Sequence, residues 1–97
     1  TGPAAIDGLP DAFALHQNRP NPFNPSTLIE VALPHATVGN LTIYNALGQK
    51  VDHLLDGLIE AGVHKFQWDA GSHSTGVFFY RFTAPGLQQT RRMLLVR

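Results

Sequence analysis

Groups able to do bond-making chemistry are few in these 97 residues. Five histidines, at positions 16, 35, 53, 64 and 73, are the obvious candidates for metal or proton chemistry. None stand at H-x-H or H-x-x-x-H spacing, so a zinc site would need ligands gathered from separate strands. His53 and His64 flank a turn expected over Asp56 to Gly62, and an antiparallel hairpin there would set them opposite each other. Half-buried packing is the simpler use of such a pair. Ser72, His73 and Ser74 share a Gly-bearing loop, but nothing joins them as nucleophile and base. Asn18, Asn21, Asn24 and Asp69 offer the oxygens calcium prefers, yet only one is charged and the spacing matches no calcium loop. Asparagines capping turns, with Asp69 bonding the amides of its own loop, account for them more cheaply. No catalytic, cofactor or metal residue is assigned, and no enzyme is expected.

Binding is the better-supported chemistry. Seven Lys+Arg balance seven Asp+Glu, which leaves no overall basic field for nucleic acid. The balance is uneven along the chain. All seven acids lie in residues 1 to 69, whereas residues 70 to 97 carry Arg81, Arg91, Arg92 and Arg97 and no acid. That asymmetry fits a solvated strand face or a partner with an acidic surface. The end of the chain is unusual too: Arg91-Arg92-Met93-Leu94-Leu95-Val96-Arg97 is apolar and β-forming to the last residue, where order usually fades. It either completes a sheet or is read by a partner, through strand addition or capture of the carboxylate. With no cysteine, disulfides and thiolate metal sites are excluded and the redox compartment stays open.

The elements that must position this end are organised around Asn18-Arg19-Pro20-Asn21-Pro22-Phe23-Asn24-Pro25-Ser26-Thr27. Its three prolines lock φ, push the residues before them into extended conformations and bar both helix and central strand. Phe23, the single aromatic, is the natural plug tying this rigid corner to a core. Strands are expected at Phe13–Gln17, Thr27–Leu33, Leu41–Tyr44, Gln49–Leu55, Val63–Trp68, Val77–Thr83 and Gln88–Arg97. Asn45 to Gly48 is a turn in which Gly48 takes positive φ. A helical turn is the alternative for Leu54 to Ala61. Alternation puts His64, Phe66 and Trp68 on one face. Val77 to Thr83, apolar on both faces, reads as an interior strand covered from both sides. Seven short strands with turns between them argue an all-β antiparallel sandwich. Residues 1–12 read as a linker from an upstream passenger domain and residues 13–97 as the sandwich. The chain opens on Thr1, not methionine, which points to a fragment of something longer; no run is long and apolar enough to span a membrane as a helix.

The ordered motifs resemble the C-terminal sorting domains (type A) of the type IX secretion system. Those motifs are Leu15, Gln17-Asn18, Pro20-Asn21-Pro22-Phe23-Asn24-Pro25-Ser26-Thr27, Ile29, Leu33-Pro34, Leu41, Ile43-Tyr44-Asn45, Gly48-Gln49 and Val51. They continue through Gly62, His64, Trp68-Asp69, Gly76-Val77-Phe78, Tyr80-Arg81 and Arg92 to Arg97. Arg19 stands where an aromatic is common, and Phe78 where tyrosine is frequent. The resemblance implies an immunoglobulin-like sandwich of about seven strands, related to the flagellar hook-capping immunoglobulin-like domain, at the end of an exported cargo protein. It implies an address and not a catalyst, with no cofactor. Recognition would centre on Arg91, Arg92, Met93, Leu94, Leu95, Val96 and Arg97. The implied partners are an outer-membrane translocon and a sortase-like peptidase, with passage through the periplasm to the cell surface or beyond, cleavage falling in or before residues 1–12. No nucleic acid or small-molecule substrate is implied. An unpaired apolar edge strand would allow pairing with a second copy. The competing reading is a carbohydrate-binding or structural accessory sandwich of a secreted enzyme, which needs an exposed aromatic platform from Trp68, Tyr44 or Tyr80, residues whose strand positions suit core or rim better.

Overall fold

A computed structural model describes residues 9–97. Seven strands follow in chain order: β1 (Ala14–Leu15), β2 (Ser26–Leu33), β3 (Thr37–Asn45), β4 (Lys50–Ile59), β5 (Gly62–Asp69), β6 (Gly76–Ala84) and β7 (Leu87–Leu95). They form two antiparallel sheets, β1-β2-β5 and β4-β3-β6-β7, and so an all-β sandwich. This is the immunoglobulin-like arrangement in which the fourth strand joins the sheet of the third, sixth and seventh. Of the linker expected over residues 1–12, the first eight lie outside the described residues; 9–12 carry no strand.

Alternation builds the core. Ile29, Val31 and Leu33 of β2 face Leu41 and Ile43 of β3 and Phe78, Tyr80 and Phe82 of β6, all buried. Trp68, Met93, Leu95 and the plug Phe23 close one end. Gly39 has a packing role: a Cβ there would lie 2.7 Å from Cζ of the buried Phe82 ring. The sequence placed the start of β3 only at Leu41, because Gly39 and Asn40 are poor strand formers; Phe82 filling the space over Gly39 explains the longer strand.

Four expectations are corrected. β4 and β5 make no hairpin: β4 pairs with β3 and crosses at Glu60–Ala61 to the other sheet, where β5 pairs with β2. His53 therefore sits opposite Thr42 and His64 opposite Val31, in different sheets, and no histidine pair forms. The segment Leu54 to Ala61 holds no helical turn, being strand as far as Ile59. The outer face of β6 is only half covered, since Val77, Phe79 and Arg81 are partly exposed while Phe78, Tyr80 and Phe82 are buried. Finally, the last strand stops at Leu95, with Val96 and Arg97 beyond it.

Candidate functional site

The seven C-terminal residues do not present one surface. Period-two alternation sends Met93 and Leu95 into the core at 1% and 0% exposure, whereas Arg92, Leu94, Val96 and Arg97 are exposed. Arg91 is half-buried on the inner side, its Nε donating to the Leu15 carbonyl at 2.7 Å. The site inferred from sequence is thus half core and half surface.

β7 is the last strand of its sheet, and its free edge is closed by the proline corner. Phe23 N donates to Leu94 O at 2.9 Å, Val96 N donates to Phe23 O at 3.0 Å, and the two chains run parallel at a Phe23–Leu95 bridge. The Asn21 side chain accepts from Leu94 N at 3.0 Å. Gln17 Nε2 donates to Arg92 O at 2.7 Å. Because Leu94 and Val96 spend their edge-facing groups on the corner, strand addition by a partner there would first have to displace it. Towards Gln88 and Thr90 the edge has no such cover among the described residues. The other edge strands are β4, β5 and the two-residue β1. Two register shifts break up β4, and Lys50, Asp52, His53 and Asp56 place charged or polar groups along it, features that discourage pairing with a second copy.

The corner is rigid because its polar groups are satisfied internally. Buried Asn18 donates from Nδ2 to Thr27 Oγ1 at 2.9 Å and to Pro20 O at 3.1 Å, and Thr27 Oγ1 donates to Pro20 O at 2.9 Å. The bonds preceding Pro20, Pro22 and Pro25 are cis. Pro25 O accepts from Ala70 N at 2.9 Å, which ties the far end of the corner to the loop after β5. Phe23 is 2% exposed, its ring centroid 5.9 Å from that of Trp68. Phe23 is therefore the plug expected from sequence. Trp68 in turn packs 5.4 Å from Phe78 and donates from Nε1 to Asp52 Oδ2 at 2.9 Å, joining the two sheets.

Asp69 accepts from Gly71 N at 2.7 Å, as its loop position suggested. Asn21 does not cap a local turn but reaches across to Leu94, a long-range role that sequence spacing could not disclose. Asn24 is exposed. Gly48 takes φ 83° in the Asn45–Gly48 turn, where Gly48 N donates to Asn45 O; Gly62 and Gly76 open β5 and β6. The same end is fastened by Arg97, whose N donates to Thr75 Oγ1 at 2.9 Å and whose guanidinium donates to Gly71 O. Among the described residues no group of three or more His, Cys, Asp or Glu is arranged to hold a metal.

Sequence reasoning missed two features. The first is the bond made by Tyr80, a core residue as its strand position suggested, which donates to His16 O at 2.5 Å; burial pushes its phenol up to about 12, against smaller downward pulls from the Asn18 backbone and the Arg91 charge. It is a strap between β6 and the entry to the corner, not a surface platform. The second is an outer-face cluster. Tyr44, Phe79, Arg81 and Thr90, with Gly48, line a depression of about 420 Å³, with the Arg81 guanidinium 5.1 Å from the centre of the Tyr44 ring. With Trp68 and Tyr80 buried and the Tyr44 ring face taken, the aromatic platform a carbohydrate-binding sandwich needs is absent from those three residues.

Residues 19–96 match the family model described as the secretion system C-terminal sorting domain. No curated protein sequence matches the chain. Among solved structures the chain is similar to PorZ, described as an essential bacterial surface component of the type-IX secretion system of human oral-microbiomic Porphyromonas gingivalis. The identity is 16% and the TM-score 0.59, over 98% of this chain and 12% of that one, so the likeness carries the fold and the chain spans a small part of PorZ's length. The chain belongs to the secretion system C-terminal sorting domain family, the sorting signal of type IX secretion that directs export to the cell surface or the extracellular space.

Proposed function

We propose that this domain acts as a folded address, read through the outward side chains of its last strand while the inward ones keep it folded. The single observation that carries the reading is the alternation along β7 and the residue after it: Arg92, Leu94 and Val96 are exposed, and Met93 and Leu95 fill the core. The family is not a catalytic one. The passenger is attached through residues 1–12, ahead of the sandwich of residues 13–97. An outer-membrane translocon and a sortase-like peptidase are the proposed partners, met in transit through the periplasm, with the peptidase cutting in or before the linker. The closed edge at Leu94 and Val96 favours recognition of side chains over strand addition at those two residues.

The test is a reporter passenger fused ahead of this chain in a bacterium with the type IX system. Paired substitution of Arg92→Ser and Leu94→Ser should leave the domain folded and hold the reporter in the periplasm. Undiminished surface delivery of that variant would overturn the proposal. Deleting Met93 to Arg97 is the weaker test, because it also removes two core side chains.

A further inference from the structure

The outer face of the four-stranded sheet carries a charge pattern that the fold does not need. Val77, Phe79 and Arg81 of β6 stand opposite Leu94, Arg92 and Thr90 of β7, and Tyr44 of β3 stands opposite Phe79. Arg81 and Arg92 are therefore diagonal neighbours across one strand pair, about 7–8 Å apart at the backbone. Neither has a carboxylate partner: among the described residues the one salt bridge is Arg19–Glu30. Asp56, an acid on this face, pairs with Asn40 whereas Arg81 pairs with Thr42, so it lies two strands across and two residues along from Arg81, about 12 Å at the backbone. Two like charges set diagonally beside half-buried rings, with nothing to neutralise them, work against folding by a small amount. Arg81 is also held in place, its Nε donating to Thr90 Oγ1 at 3.1 Å beside the Tyr44 ring, so its remaining donors point from a fixed position. Next to this pair, Asn21, Pro22, Val77, Arg92, Met93 and Leu94 line an apolar-sided depression of about 270 Å³.

We propose that this face docks an extended acidic segment of a protein partner, with carboxylates at alternate positions. Side chains two apart on an extended chain point the same way and are about 6.6–7 Å apart, close to the backbone spacing of Arg81 and Arg92. Each carboxylate would accept charge-assisted hydrogen bonds from one arginine. An apolar side chain beyond the carboxylates would enter the depression between Pro22 and Leu94. The inference rests on the sorting reading above, since Arg92 and Leu94 belong to both.

The experiment titrates the 97-residue chain with a synthetic peptide of alternating Glu and Val, following backbone amides by NMR. Shifts should cluster at Tyr44, Val77–Arg81 and Thr90–Leu94 and weaken as salt is raised. Replacing Glu by Gln in the peptide, or Arg81→Gln with Arg92→Gln in the domain, should weaken binding by about tenfold or more. Arg92→Gln alone serves as a second variant, because Arg81 also braces Tyr44. Absence of binding, equal binding of the Gln peptide, or shifts elsewhere would overturn the inference. So would tighter binding of phosphatidylglycerol vesicles or dextran sulfate at this face. Carried into the reporter fusion, undiminished delivery by the Gln double variant overturns this inference alone, whereas failure of the unaltered tail to deliver overturns the sorting reading.

Discussion

Alternation along the last strand can be tested by four alanine substitutions whose effects should differ sharply between neighbours. Met93 and Leu95 are 1% and 0% exposed, against 36% and 44% for Leu94 and Val96. Truncating a fully buried Met or Leu removes its transfer energy and leaves a cavity, about 2–5 kcal/mol. Leu94 and Val96 keep much of their surface wet, so the same change should cost about 1 kcal/mol or less. A domain of this size holds about 5–15 kcal/mol in all, so either inward change alone takes a large share of it. Urea unfolding followed by the fluorescence of the buried Trp68 is the assay. With a slope of about 1 kcal/mol per molar for a small protein, the inward variants should lose about 2 M or more of midpoint and the outward ones less than about 1 M. Equal losses for Leu94→Ala and Met93→Ala would show that the strand does not face as described, and the division into core and address residues would fall with it.

The other predictions concern packing, the strap and the closed edge. Gly39→Ala drives a methyl into the buried Phe82 ring and should cost about 1–3 kcal/mol of unfolding free energy. Tyr80 keeps its proton in the folded chain to about pH 12 while the unfolded chain loses it from pH 10, so stability should be intact below pH 10 and fall through that window by about 3 kcal/mol. Tyr80→Phe should remove that fall, and a pH-independent Tm in the parent chain would contradict it. Asn21→Ala removes the acceptor for Leu94 N and should cost about 0.5–1.5 kcal/mol. Hydrogen exchange should quicken at Leu94 and not at Met93, which faces β6; an unchanged Leu94 rate would refute the closed edge.

Within single strands, residue types carried most of the fold. The β-branched and aromatic run Leu41–Tyr44, the alternation over Val63–Trp68 and the positive-φ requirement at Gly48 each marked local structure that forms as expected. Partner choice was not legible, because a period of two fixes which face a side chain takes and says nothing of the sheet its strand joins. Hence His53 and His64, plausible partners across a short turn, lie in separate sheets after the chain crosses at Glu60–Ala61. The double-sided apolar character of Val77–Thr83 had a similar ambiguity: Phe79 and Val77 look like core but rest among Tyr44, Arg81, Arg92 and Leu94 on the outer face. Of the candidate site, the sequence marked Arg91 to Arg97 as β-forming, which holds as far as Leu95, and Phe23 was legible as the corner's plug. That Asn21 and Phe23 reach 71 to 73 residues along the chain to close the edge of β7 depends on tertiary pairing alone.

The most direct measurement compares surface display of one reporter carried by two tails of known fold stability. One bears Arg92→Ser with Leu94→Ser, the other a core change such as Gly39→Ala that lowers stability by at least as much. The address reading predicts that the outward pair abolishes display while the domain stays folded, and that the core variant, still mostly folded, is displayed. Display that follows stability alone, with the outward pair delivered as well as the parent tail, would contradict it.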